Sequence, residues 1–343
     1  MKTKSKILMS FGTSLLFAAG IVSVPTANAD ERARADLALV EKSSSQVDPN
    51  LPDYERVSGV SGNLGSIGSD TLNNLLQLWA EGFREIYPNV NIQIQGAGSS
   101  TAPPALVEST AQIGPMSRPM RQSEIQAFEN RHGYAPTEVR VAIDGLAIFA
   151  HRENPIEGLT MKQIDGIFSS TNRLGGSTIN TWGEAGVKDS DWRNRPISVY
   201  GRNSASGTYG FFRDTALGGG DFRSAVAEQP GSSAVVQSVG SNRFGIGYSG
   251  YGYRTSGVKV LKVAAEEGGE FYAPSPETVV NGDYPISRFL FLYVNKAPNE
   301  KLDTLTYEFL RYALSKQGQE IVDRDGYFTL SASVANEVVA SLQ

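Results

Sequence analysis

Leu72, Leu75, Leu76, Trp79 and Phe83 recur at spacings of three and four, the stripe of an amphipathic helix. The pattern stops at Tyr87-Pro88, because a residue before proline resists the helical conformation. Residues 90–94, VNIQI, alternate apolar and polar as a strand does. Upstream, Arg56-Val57-Ser58-Gly59-Val60 reads as a short strand that opens the body. Downstream, Gly96 to Thr101 leads into a second helix around Ala105-Leu106-Val107. Ile113-Gly114 ends a buried strand, and Pro115-Met116-Ser117-Arg118-Pro119 is a loop. Strand–helix–strand–helix–strand is the order of an α/β layer around a parallel sheet.

Two longer apolar stretches follow. Residues 139–150, bounded by Pro136 and Pro155, are nearly continuous, and so are 289–294, FLFLYV. The stretches 139–150 and 286–295 are long enough to cross between two lobes. The segment from Leu302 to Leu342 carries two helical patterns around Tyr327-Phe328-Thr329-Leu330. No repeat of 20–50 residues appears in the body. The layout this predicts is one discontinuous lobe of residues 57–143 plus 288–343, with residues 144–287 inserted as the second. Residues 30–56 are charged and weakly periodic, and read as a flexible leader.

The first 29 residues have the build of an export signal. Lys2, Lys4 and Lys6 precede an apolar run from Ile7 to Val24, and Ala27-Asn28-Ala29 offers a small-x-small cleavage site. The competing reading is an N-terminal membrane anchor, which the cleavage site disfavours. Cleavage after Ala29 would leave an exported, periplasmic chain with a formal charge of −8 instead of −5. That balance invites no nucleic acid.

Composition narrows the chemistry. With no cysteine and only His132 and His151 among 343 residues, thiolate chemistry and histidine-rich metal sites are excluded. No metal and no cofactor is expected. The 36 glycines fit a chain that uses many tight turns and backbone contacts.

The informative pattern is a small, polar, glycine-containing turn that opens a helix. It occurs as Gly68-Ser69-Asp70-Thr71, as Gly98-Ser99-Ser100-Thr101 and as Ser204-Ala205-Ser206-Gly207-Thr208. A helix start presents N–H groups without partners and the positive end of the helix dipole, which suits an anion. Taken singly, each turn is explained as well by simple N-capping. Three together could supply a donor-rich pocket for one tetrahedral oxyanion. Arg202, four residues before Ser206, adds a planar fork of donors that matches phosphate oxygens.

Other motifs fail their context. Residues 245–250 fit G-x-G-x-x-G, but Tyr251-Gly252-Tyr253 follows where a dinucleotide site needs a helix. Asp323-Arg324-Asp325-Gly326 resembles half a calcium loop and lacks its glutamate. The two histidines stand beside arginines without a serine motif.

Taken in order, Gly68-Ser69-Asp70-Thr71 with Trp79, Gly96-x-Gly98-Ser99-Ser100, Gly114-x-Met116-Ser117-Arg118 and Arg202-x-x-x-Ser206-Gly207-Thr208 resemble the periplasmic phosphate-binding proteins of phosphate-specific ABC importers. The resemblance runs from about Ser58 to Asn336, and its last motif is the most specific. It implies a type II periplasmic-binding fold: two α/β lobes, each a mixed sheet flanked by helices, with ligand in the cleft. It implies phosphate contacts from Asp70, Thr71, Ser99, Arg202, Ser206, Gly207 and Thr208, and Ser69 and Ser117 in the same turns are candidates beside them. Gly98, Ser100 and Arg118 are secondary candidates, Arg118 either as a donor or as the partner of an acid. The partners implied are inorganic phosphate and the permease subunits of an inner-membrane importer, served by a monomer.

One position departs from the family. Many members carry an aspartate where Ser117 stands, and that aspartate accepts the proton of hydrogen phosphate. Asp70 could replace it as acceptor, or serve only as a helix cap. No catalytic residue is expected. The alternatives are a secreted phosphatase and a surface or sensory protein on the same fold. A phosphatase would require a metal or a nucleophile–base pair, for which the sequence offers little.

Overall fold

The computed structural model describes residues 47–343. The export signal, with its cleavage site, and most of the leader lie outside the described residues.

Two five-stranded sheets organise the chain. The first contains β1 (Gly62–Ile67), β2 (Val90–Gln95), β3 (Ile113–Met116), β4 (Thr137–Gly145) and β12 (Ser287–Val294), in the order β2-β1-β3-β12-β4. β1 runs parallel to β2 and β3, while β12 runs antiparallel to β3 and β4. The second contains β5 (Ala147–His151), β7 (Ser198–Arg202), β8 (Ala227–Gln229), β9 (Gly245–Ser249) and β10 (Val258–Val260), in the order β10-β5-β9-β7-β8. Its β7, β8 and β9 are parallel neighbours, and β5 and β10 are antiparallel. A small parallel pair, β6 (Gly158–Thr160) and β11 (Lys262–Ala264), lies outside both sheets. This is the two-lobe α/β architecture that the motif order implies.

Helix α1 (Asn73–Ile86) buries Leu75, Leu76, Trp79, Ala80 and Phe83. Burying side chains of this size against the sheet is worth about 1.5–3 kcal/mol each. The short α2 (Ala102–Val107) and α3 (Gln122–His132) cover the β3 side, and α4 (Met161–Phe168), α5 (Gly207–Ala216), α6 (Ser232–Ser241) and α7 (Pro276–Val280) belong to the inserted stretch. The C-terminal α8 (Thr304–Leu314), α9 (Lys316–Arg324) and α10 (Ala332–Ser341) place Leu305, Phe309, Ile321 and Ala335 in one apolar core with Trp79, Phe83 and Leu292. A separate core gathers Ile148, Phe168, Trp182, Phe212 and Tyr248.

Three details differ from the periodicity. Residues 56–60 form no strand; β1 begins at Gly62, and Gly59 takes a positive φ of 83° that breaks extended pairing. The apolar stretch 139–150 is two strands that pass from one sheet to the other across Leu146. The C-terminal segment holds three helices among the described residues, because Ser315 ends α8 and its hydroxyl accepts from Gly318 N–H to start α9.

Candidate functional site

Four loops meet. The β1–α1 turn carries Ser69 to Thr71. A short 3₁₀ turn, Ser99–Thr101, precedes α2, and the loop after β3 carries Ser117. The fourth is the start of α5, four residues beyond Arg202 at the end of β7. Backbone bonds lock the four together. Ser69 N–H donates to Pro115 O (2.7 Å), Gly98 N–H to Gly68 O (2.8 Å) and Ser100 N–H to Ala205 O (3.1 Å).

Two glycines permit this approach. Gly98 has a φ of 112°, and a Cβ there would lie 2.6 Å from Ala205 O. A Cβ on Gly207 would lie 2.2 Å from Ser99 Oγ and 2.7 Å from Ser117 Oγ. The first turn of α5 therefore sits directly against both serine hydroxyls.

A chain of buried hydroxyls results. Thr71 Oγ1 is 2.9 Å from Thr208 Oγ1, Thr208 Oγ1 is 3.5 Å from Ser117 Oγ, and Ser117 Oγ is 3.2 Å from Ser99 Oγ. Ser99 Oγ also accepts from Ser117 N–H at 3.0 Å. Ser206 caps α5, accepting from Thr208 N–H and Tyr209 N–H. Capping uses its lone pairs and leaves its hydroxyl proton to donate. The cap and the anion donor are thus compatible roles for one serine.

Arg202 is 1% exposed. Its Nη1 donates to Ser232 Oγ (2.8 Å) and lies 3.3 Å from Asp70 Oδ2, and its Nη2 donates to Pro230 O (3.3 Å). Its Nε has no hydrogen-bond partner, and neither has the buried Ser69 Oγ. An unsatisfied buried donor costs about 1–3 kcal/mol, and each of these two is a donor without a protein acceptor. Burial pulls the Arg202 pKa down, and the Asp70 charge opposes that pull.

Asp70 is not a helix cap. Leu72 holds the N-cap position of α1, and no side chain caps that helix. The Asp70 carboxylate instead accepts from Ser232 N–H (2.8 Å) at the start of α6, in the other lobe. Its backbone carbonyl and that of Thr71 accept from the Tyr253 hydroxyl, and Tyr327 donates to Thr71 O at 2.7 Å. Burial raises the pKa of both phenols and keeps their protons on these carbonyls. Outside Asp70, a cavity of about 350 Å³ is lined by Asn73, Asn74, Ser233, Tyr253 and Asp325.

Arg118 does not join the cluster. Its two terminal nitrogens each donate to a Glu124 oxygen at 2.7 Å, and Ser100 Oγ is a distant contact at 3.4 Å. Burial works to raise the Glu124 pKa, but the bonds from Arg118 and from Arg121 N–H hold it low. Of the two secondary roles, pairing with an acid is the one present.

Sequence reasoning missed Arg288 and Asp144. Both are buried, and Arg288 Nη2 donates to Thr208 Oγ1 at 2.8 Å. They are hidden inside apolar strands, and a charge in such a run was the only available signal. Among the described residues no group of three or more His, Cys, Asp or Glu is placed to hold a metal ion. No helix among them is long and apolar enough to cross a membrane.

Comparison with known proteins bears on the family and the fold. A model described as the PBP superfamily domain matches residues 55–317. The phosphate-binding protein PstS of Pseudomonas aeruginosa is 56% identical over 297 residues, covering 86% of this chain and 92% of that protein. A crystal structure from Clostridium perfringens, described as a putative phosphate ABC transporter substrate-binding protein with bound phosphate, is 28% identical with a TM-score of 0.66. It covers 79% of this chain and 100% of its own. A phosphate transport receptor from Vibrio cholerae, 23% identical with a TM-score of 0.61, shares the fold over 78% of this chain and 100% of its own. The chain belongs to the PBP superfamily and, within it, to the family of PstS phosphate-binding proteins.

Proposed function

We propose that this protein captures inorganic phosphate in the interlobe cleft and delivers it to the permease of an ABC importer, after export to the periplasm and cleavage behind Ala29. The observation that carries the reading is the convergence of Thr71, Ser99 and Ser117 on Ser206, Gly207 and Thr208 at the start of α5, beside a buried arginine with a free Nε. Gly207 lets the helix start approach. Arg202 neutralises one charge, and the hydroxyls and N–H groups take the remaining lone pairs.

Asp70 is the acceptor that the family otherwise places at Ser117. Its Oδ2 is engaged by Ser232 N–H and Arg202, which leaves Oδ1 for the O–H of hydrogen phosphate. Sulfate brings no proton and meets only a carboxylate, so it is rejected. The lobes, residues 57–143 with 288–343 and residues 144–287, close on the ligand by a hinge at the strands between them. The protein acts as a binder, not a catalyst, and works as a monomer. Calorimetry of the mature protein with phosphate and sulfate at two pH values tests this. Tight phosphate binding without sulfate binding is expected. Equal binding of both anions would overturn the Asp70 assignment, and binding of neither would overturn the function.

A further inference from the structure

Arg288 opens strand β12 and stands directly across from Asp144 on β4 in the antiparallel register. Its side chain is 2% exposed and that of Asp144 is 0% exposed. Arg288 Nε and Nη2 both donate to Asp144 Oδ2, at 3.1 and 2.8 Å. Asp144 Oδ1 accepts from Tyr251 N–H at 3.1 Å. The charge is therefore balanced locally, as a buried charge must be.

The guanidinium does more than balance Asp144. Its Nη1 donates to Ser117 O at 2.7 Å, and its Nη2 also donates to Thr208 Oγ1 at 2.8 Å. It lies over the Phe211 ring at 5.0 Å from the centroid. Ser117 follows β3 in one lobe, while Thr208 and Phe211 belong to α5 in the other. One side chain on a connecting strand thus spans the two loops whose hydroxyls face each other across the site.

Hydrogen-bond chemistry then fixes a direction. A guanidinium is only a donor, so Thr208 Oγ1 must accept from Arg288. The single Thr208 proton is turned away from Arg288, toward the hydroxyl chain that includes Thr71 and Ser117. We propose that Arg288 is the positioning residue of the anion site: it orients the Thr208 hydroxyl as a donor and ties the Ser117 loop to the start of α5, so that ligand and lobe closure are held together. This rests on the phosphate-binding reading above, and it assigns Arg288 no contact with phosphate.

A residue needed only to neutralise Asp144 would be replaceable, since buried ion pairs are often exchanged without loss of stability. Two variants separate the roles. Arg288→Lys keeps a charge beside Asp144 and lacks the planar fork that reaches Ser117 and Thr208 together. The double variant Arg288→Gln with Asp144→Asn removes both charges. Phosphate affinity is measured by calorimetry, and release by chasing radiolabelled phosphate with unlabelled phosphate.

Loss of one charge-assisted hydrogen bond predicts about tenfold weaker phosphate binding in both variants. The loss should lie in faster release, with association unchanged. Either variant binding within twofold of wild type would overturn the proposal. So would an Arg288→Lys protein that fails to fold, because a purely structural role would then account for the residue. Wild-type protein that binds no phosphate would instead overturn the reading on which the proposal rests.

Discussion

Arg118 directly follows Ser117 and Arg202 stands four residues before Ser206, and both are almost fully buried. Arg118 gives both terminal nitrogens to Glu124. Arg202 meets a serine, a carbonyl and one oxygen of Asp70, and its Nε stays unpartnered. The same residue type has been given two jobs by its acid. A bidentate carboxylate takes both terminal nitrogens of Arg118 and leaves only its Nε, which like that of Arg202 has no partner. A shared, partly exposed carboxylate keeps the arginine charged and leaves donors over.

The largest effect should follow from removing Arg202, whose terminal nitrogens are not clamped by a bidentate acid. Arg202→Ala deletes a desolvated, charge-assisted donor set, and phosphate affinity should fall at least about a hundredfold. Circular dichroism should show the fold retained, since Asp70 keeps its bond from Ser232. Unchanged affinity by calorimetry would remove Arg202 from the site.

Arg118→Ala should give the opposite profile. It strands Glu124 in a mostly buried position, and breaking such a pair costs about 3 kcal/mol of stability. Phosphate affinity should stay within a few-fold of wild type. Chemical denaturation and calorimetry on the same sample check both halves. Lost binding with unchanged stability would reverse the assignment of the two arginines.

A smaller effect, on selectivity, belongs to Asp70. Asp70→Asn places an amide donor where the carboxylate stood, and sulfate binding should rise about tenfold relative to phosphate. Competition by sulfate against bound phosphate measures the ratio. A constant ratio would mean that selectivity arises elsewhere in the cluster.

How much of this could be read from the chain alone depends on the distance between partners. The helix stripe of α1 and the three glycine-serine turns are local, and so is the Arg202-to-Thr208 element. Each is encoded within a few residues, and each is present in the fold. What escaped is long-range. Asp70 reads equally as an acceptor or a cap because its partner, Ser232 N–H, is 162 residues away. Arg288 and Asp144 are 144 residues apart, and each is surrounded by apolar neighbours that mark only a core strand. β1 was displaced for the converse reason. Its sequence, GNLGSI, has the look of a turn, and pairing with β2 along its whole length makes it a strand.

The smallest expected effect lies at the mouth of the Arg202 side. Burial raises the pKa of Asp325 to about 6 from an ordinary 3.8, although the bond from Asn74 and the Arg324 charge oppose it. The folded protein therefore holds this proton to higher pH than the unfolded chain. Its stabilising contribution is complete below the ordinary value and is lost as pH rises toward about 6. Asp325→Asn should flatten the stability–pH curve across that window, as followed by thermal melts. An unchanged slope would place the pH dependence on other groups.

The most direct test is a crystal structure of the phosphate-saturated protein. Phosphate oxygens should lie within hydrogen-bond distance of Arg202, Ser99, Thr71 and the Ser206–Thr208 helix start, with a protonated oxygen on Asp70 and Arg118 still on Glu124. Phosphate bound instead in the cavity lined by Asn73, Asn74 and Asp325, with the hydroxyl cluster closed upon itself, would be incompatible with the site described above.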